Sequence, residues 1–447
     1  MRIHFIAIGG AIMHSLAIEL FKNGHHVTGS DDIIYDPARS NLNEYGLLPK
    51  HEGWNDSLIT DNLDLVIIGM HAKLNNPELL KAQRINIKIL SFPEFISQYS
   101  KNKTRIVISG SHGKTTITSM ILHVLNINNI EADYLLGAKI KSFSNLVCLK
   151  NNNLIIIEGD EYLSSPLDRR PKFTHYNPHV LVISGVAWDH INVFPTVQAY
   201  EDAFKSLINS VTKSKGDIYY HKNDSFLSNY LKHNEYSKSY SQLEYILKDD
   251  KFCIKFNDEI IPLKIFGNHN LQNLEAAKLV CLNLGISEKV FYHSIKSFEG
   301  ADNRLNLIKK YINNSCVYRD FAHSPSKVLA TVNAVKTLYP NRYLISCYEL
   351  HTFSSLNSDF LSYYENAFSN SDEVWIYIDP IKQKLKGITS INSSLVFSSL
   401  KHNRITFINN KEKLKSLLLE FTPCNNNLLL MSSGTFSGLD LITALSN

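Results

Sequence analysis

Cysteine is scarce: six residues in 447, at positions 148, 253, 281, 316, 347 and 424, with no two closer than Cys253 and Cys281. That spacing excludes a zinc knuckle or a vicinal redox pair, and the thiols are expected to be buried and reduced, as suits a cytoplasmic protein. The chain also lacks a charge imbalance. A net charge of +4 gives no basis for a nucleic acid or an anionic membrane surface as partner. Long apolar runs are missing, so no bilayer-spanning segment is expected. The N-terminal stretch from Ile3 to Leu20 is largely apolar, but His14 and Glu19 interrupt it and no small-residue cleavage site follows. It reads as β–α–β rather than as a signal peptide. Internal repeats and low-complexity tails are absent.

What is present is an ordinary globular composition, 44% apolar and 20% charged. The length suits about three domains. Alternation over residues 3–8 leads into Gly9-Gly10, a helical pattern from about Ala11 to Asn23, and a second strand ending at Ser30-Asp31-Asp32. A third strand, Asp64 to Ile68, ends at Gly69. This first α/β domain is expected to cover residues 1–102, closing at the polar Lys101-Asn102-Lys103. A second is expected over 103–301, with buried strands at Arg105–Ile108, Asn153–Ile157 and Val180–Ile183. Peripheral strands and loops are expected from about Asn223 to Asn257. The boundary falls in Glu299-Gly300-Ala301-Asp302-Asn303. A third domain over 302–447 carries strands at Cys316–Asp320, Tyr343–Tyr348, Glu373–Ile378 and Asn427–Met431.

The strongest signal is Gly110-Ser111-His112-Gly113-Lys114-Thr115-Thr116, between an apolar strand and an amphipathic helix. Glycines let backbone N–H groups approach phosphate oxygens, and the helix N-terminus adds partial positive charge. Lys114 suits the terminal phosphates of ATP and the Thr115 hydroxyl suits Mg²⁺. Glu158 and Asp160 end the neighbouring strand, where a carboxylate can hold Mg²⁺ directly or through water. Asp189-His190 ends the next one, and His190 is either a metal ligand or structural.

Three further constellations leave alternatives open. Gly9-Gly10, with Asp31 about twenty residues on, is either a degenerate nucleotide-binding turn or a tight β–α turn without ligand. His269, Asn270 and Asn273 open a helix, where amides serve either an adenine edge or the helix cap. Asp320-Phe321-Ala322-His323-Ser324-Pro325 puts an acid, an aromatic ring and a histidine at another strand end.

Taken in order, these pieces resemble the Mur ligase family along essentially the whole chain. They are Gly9-Gly10 with Gly29-Ser30-Asp31, Gly110 to Thr116, Glu158-Gly159-Asp160-Glu161, Asp189-His190, His269-Asn270-Leu271-Gln272-Asn273, Arg304, and Asp320 to Pro325. The resemblance implies a three-domain α/β fold: a Rossmann-like UDP-binding domain, a central P-loop ATPase domain and a C-terminal α/β domain. It implies an ATP-dependent ligase acting on UDP-N-acetylmuramate through an acyl phosphate. It assigns catalysis to Lys114, Glu158 and His190, with Mg²⁺ held by Thr115, Glu158 and His190. ATP falls to Gly110, Ser111, His112, Gly113, Lys114, Thr115, Thr116, His269, Asn270, Asn273, Arg304 and Asp320. The substrates fall to Gly9, Gly10, Ser30, Asp31, His71, Phe321, His323 and His351. A monomer or weak homo-oligomer is expected.

Within the family, Asp320 to Pro325, Met431 to Gly438 and Tyr35-Asp36-Pro37 are similar to members that attach the murein tripeptide L-Ala-γ-D-Glu-meso-diaminopimelate. Attachment of L-alanine is the alternative. Departures stand at Ala7 and Ile12 in the first loop, at Ser184-Gly185 and Ala187 before the Asp-His pair, at Ser324, and at Glu349-Leu350-His351-Thr352. They leave the ATP machinery intact and bear on how the amine is held.

Overall fold

The computed structural model describes residues 1–138, 143, 145–190, 192–302, 304–385 and 391–445. Asn303, in the expected boundary, lies outside them. Three largely parallel sheets carry the chain, the expected three-domain α/β architecture. Internal contacts divide it into two units: residues 1–186, 197–241 and 276–286, and residues 187–196, 242–275 and 287–447.

The first unit holds two sheets. One is all parallel, ordered His26–Ser30, Arg2–Ile6, Leu65–Ile68, Ile89–Ser91. Helix Ala11–Lys22 follows its first strand, stopping one residue short of the expected end, with Asn23 as its cap. Two of the helices that follow begin on side-chain caps. Asn76 accepts from the amides of Glu78 and Leu79 ahead of helix Pro77–Arg84, and Ser91 with Glu94 forms a capping box for Phe92–Tyr99; both satisfy amide groups that have no partner within the helix.

The larger sheet is ordered Ser237–Tyr240, Asp217–His221, Val180–Ile183, Thr104–Ser109, Leu154–Glu158, Asp133–Leu135, Val147–Cys148. Only its last pairing is antiparallel. Ile106, Val107, Ile108, Ile155, Ile156, Ile157, Leu181, Val182 and Ile183 are all fully buried. A strand covered on both faces needs β-branched residues throughout rather than alternation, and these runs have that composition.

The second unit holds a six-stranded sheet ordered Asn306–Lys310, Cys316–Asp320, Asn426–Met431, Tyr343–Glu349, Glu373–Tyr377, Ile405–Ile408. Strand Asn306–Lys310 is its antiparallel edge. A small antiparallel sheet of Ile246–Lys248, Lys251–Phe256 and Glu259–Pro262 forms the expected periphery. The cysteine expectation holds for Cys253, Cys281, Cys316 and Cys347, which are buried; Cys148 is half-buried and Cys424 exposed. No helix among the described residues is long and apolar enough to cross a membrane.

Candidate active site

In the first unit, strand Thr104–Ser109 delivers the chain into the glycine-rich turn and helix Lys114–Ile127 takes it out. Gly110 has φ +117°, and a Cβ there would stand 2.5 Å from Ser184 Oγ. Gly113 caps the helix at φ +71°. The first position requires glycine and the second favours it. The tip of strand Val180–Ile183 supports the turn from behind. Ser111 N donates to Gly185 O at 2.9 Å, and Ser184 Oγ donates to Ser109 O at 3.1 Å and to His112 O. The Ser184-Gly185 departure therefore braces the loop.

Three carboxylates stand at the end of strand Leu154–Glu158 and just beyond it, each with its own partner. Glu158 Oε1 accepts from Thr115 Oγ1 at 2.8 Å and Oε2 from Gly137 N at 2.8 Å. Asp160 accepts from Lys172 Nζ at 2.6 Å. Glu161 accepts from Lys114 Nζ at 2.7 Å, and that ammonium also donates to Gly110 O at 2.7 Å. Burial would push the Lys114 ammonium down, but Glu161, aided by Asp160 and Glu158, holds it above its ordinary value. Burial likewise pushes the Asp160 carboxyl up, and Lys172 and Lys114 outweigh that, leaving it below its ordinary range. The sequence pattern placed Lys114, Thr115 and Glu158 together, and so does the structure. It marked Ser184 only as a departure and did not single out Lys172 or the Lys114–Glu161 pair; the signal available was the acid run after the strand.

At the first loop, Asp31 Oδ2 accepts from Gly9 N at 2.6 Å, so these two expected residues meet. Burial raises the Asp31 carboxyl, against the Gly9 and Asp32 amides and the nearby His71 that lower it. Gly10 precedes helix Ala11–Lys22 and makes no side-chain cap. Ser30 adjoins the same loop, its carbonyl accepting from the Ala7 and Ile8 amides at 2.9 and 3.0 Å, while its buried hydroxyl donates to Glu78. Ala7 takes a left-handed φ of +68°, the conformation a glycine would adopt without steric cost.

The second unit gathers the other candidates. Asp189 Oδ1 accepts from His190 N at 2.8 Å, and its Oδ2 lies 3.5 Å from Lys327 Nζ and 3.9 Å from His323 Nε2. Lys327 Nζ is 3.1 Å from His323 Nε2, and His323 Nδ1 is 2.8 Å from Phe321 O. This pattern puts the ring proton on Nδ1 and the lone pair on Nε2. Burial, then the Lys327 ammonium, pushes His323 down to about 3. Burial opposes ionisation of Asp189, but Lys327, His190 and His323 outweigh it and bring it to about 2.

Helix Asn268–Asn283 presents His269, Asn270 and Asn273, the two amides buried. Asn270 Nδ2 donates to Phe266 O at 2.8 Å, and burial lowers His269 against the nearby Asp320. Asp320 accepts from the amides of Leu305 and Ala322, both at 2.7 Å, which shapes the turn after its strand. The Arg304 guanidinium sits 4.4 Å over the Phe321 ring, and His351 Nδ1 lies 3.9 Å from Glu349.

The oxygens of Thr115 and Glu158, hard donors 2.8 Å apart beside a phosphate-type loop, fit the requirements of Mg²⁺. Glu94, Asp168 and His175 also converge among the described residues, but the Arg170 guanidinium already pairs with both Asp168 oxygens.

Known proteins align with this arrangement. A model of the Mur ligase middle domain matches residues 108–281, and one of the Mur ligase family catalytic domain matches residues 2–104. A UDP-N-acetylmuramate–L-alanine ligase of Aquifex aeolicus is 30% identical over 367 residues, covering 79% of this chain and 78% of its own. A UDP-N-acetylmuramate–L-alanyl-γ-D-glutamyl-meso-2,6-diaminoheptandioate ligase of Haemophilus influenzae is 28% identical over 352 residues, covering 75% and 76%. The structure of a UDP-N-acetylmuramate-alanine ligase from Thermotoga maritima superposes with a TM-score of 0.73 at 20% identity, covering 100% of this chain and 97% of that one. The chain thus belongs to the Mur ligase family, ATP-dependent ligases that form amide bonds.

Proposed function

We propose that this protein uses ATP to join L-Ala-γ-D-Glu-meso-diaminopimelate to the lactyl carboxylate of UDP-N-acetylmuramate. The observation that carries the ATP chemistry is the Thr115–Glu158 hydrogen bond beside Lys114, at the N-terminus of a helix opened by two glycines in left-handed conformations. Lys114 and the loop amides bind the phosphates and stabilise charge on the transferring phosphoryl group. Thr115, Glu158 and His190 are the residues to hold Mg²⁺, which neutralises phosphate charge when bound. The carboxylate attacks the γ-phosphorus, giving an acyl phosphate and ADP. The amine then attacks the acyl carbon, and the tetrahedral intermediate releases phosphate.

Residues 1–102 take the UDP-sugar through Gly9, Gly10, Ser30, Asp31 and His71. Residues 103–301 take ATP through Gly110 to Thr116 with His269, Asn270 and Asn273. Residues 302–447 supply Arg304, Asp320, Phe321, His323 and His351, the last three for the amine. The tripeptide assignment is supported by Asp320-Phe321-Ala322-His323 and by the Haemophilus relative. L-alanine is the second reading, favoured by the names of most of the relatives compared. A cytoplasmic setting, where ATP and UDP-sugars are made, completes the proposal.

The test is phosphate release with ATP, Mg²⁺ and UDP-N-acetylmuramate, comparing tripeptide with L-alanine. Release with the tripeptide alone supports the assignment. Release with L-alanine alone transfers it to the second reading, and silence with both refutes the two.

A further inference from the structure

Lys114 does not stand free in its loop. Its ammonium is 2.7 Å from Glu161 Oε2, and the two side chains are 15% and 1% exposed. A carboxylate oxygen at that distance makes the charge-assisted contact that a phosphate oxygen would make. Of its three N–H donors one serves Gly110 O and one Glu161, so a nucleotide phosphate that takes more than the remaining donor, or draws the charge toward itself, competes with Glu161.

Glu161 is built to survive that exchange. A buried carboxylate deserted by its cation is costly unless other donors remain. Tyr200 OH lies 3.2 Å from Glu161 Oε1 and 3.1 Å from Ser111 Oγ, so a donor from helix Val197–Lys213 reaches the oxygen that Lys114 does not use. The segment is also anchored: Lys172 N donates to Tyr162 O and Phe173 N to Asp160 O. Neighbouring acids are occupied differently, Asp160 with Lys172 and Glu158 with Thr115 and Gly137.

We propose that Glu161 is a positioning residue that holds Lys114 in the nucleotide-free loop and yields it to the phosphates on binding. This rests on the ATP-binding reading above. It makes Glu161 a competitor of the nucleotide: it holds Lys114 in place, lowers affinity, and speeds departure of ADP.

The test is calorimetric titration of the full chain with ADP and Mg²⁺, for the wild type, Glu161→Gln and Glu161→Asp. Removing the carboxylate charge is expected to tighten ADP binding about fivefold, the scale of one partly screened ion pair. The aspartate variant, which retracts the charge, should fall between, and the KM for ATP should follow the same order. A residue that merely supported the fold would weaken binding when changed. If Glu161→Gln does not fold, shown by loss of its thermal transition, Glu161→Asp decides by the same sign. Unchanged or weaker ADP binding in the folded variants, with normal binding by the wild type, overturns this proposal alone. Failure of the wild type to bind ADP overturns the ATP reading and this proposal with it.

Discussion

Thr115 Oγ1 donates to Glu158 Oε1 over 2.8 Å, joining the first turn of a helix to the tip of the strand that pairs with the strand before it. The amide of Gly137 holds the second carboxylate oxygen at 2.8 Å. Glu158 is thus aimed by two donors on different elements, and a side chain so fixed loses little freedom when it takes a cation.

Replacing Glu158 by Gln keeps the shape and removes the charge. ATP-dependent phosphate release should fall by at least about 100-fold, the usual scale for a preorganised electrostatic group at a phosphoryl-transfer site. Thr115→Val should act in the same direction. Steady-state phosphate assays at saturating UDP-N-acetylmuramate check this, and a loss below tenfold in Glu158→Gln would remove Glu158 from the machinery.

Glu78, fully buried in the first unit, accepts from Asn55 N at 2.7 Å, from Ser30 Oγ, and lies 3.4 Å from His4 Nε2. It ties strands Arg2–Ile6 and His26–Ser30, and the chain at Asn55, to the first turn of helix Pro77–Arg84. Glu78→Ala strands these donors in the interior and should cost about 3–5 kcal/mol, as for other broken buried pairs. Urea unfolding measures it. A loss under about 1 kcal/mol would mean that water replaces the carboxylate.

His323 gives stability a pH dependence with a definite sign. Burial and Lys327 hold it at about 3 in the fold, whereas an unfolded histidine titrates near ~6.5. Between those values the unfolded chain binds a proton that the folded one refuses. The contribution is complete above pH ~6.5 and is lost towards pH ~3, by up to about 1.4 kcal/mol per pH unit. His269, lowered by burial, acts in the same direction. The urea midpoint should therefore drop between pH 7.5 and 5, and His323→Gln should flatten that drop. Equal slopes in the two proteins would contradict it.

Local chemistry made much of the architecture legible. The β-branched runs Arg105–Ile108 and Asn153–Ile157 appear as strands within a residue or two of their expected bounds, because a strand covered on both faces leaves no room for polar residues. Lys114, Thr115 and Glu158 were legible for a similar reason: a phosphate loop needs its glycines, lysine and hydroxyl at fixed spacing, and the acid ends an adjacent strand. The stretch from 223 to 257 was legible only as peripheral strands and loops without bounds, since its strands are short and its composition is rich in Ser, Tyr, Asn and Lys.

Sequence by itself determined the family, the strand and helix pattern, and the phosphate loop, all set by periodicity or by short motifs whose geometry is local. Only the tertiary structure decided the pairings. That Ser184 braces the loop, that Ser30 faces Glu78, that Lys327 lies against Asp189, and that Lys114 rests on Glu161 depend on contacts between residues far apart in the chain. The register of one strand against another brings such side chains together, and no local pattern encodes a partner forty or more residues away.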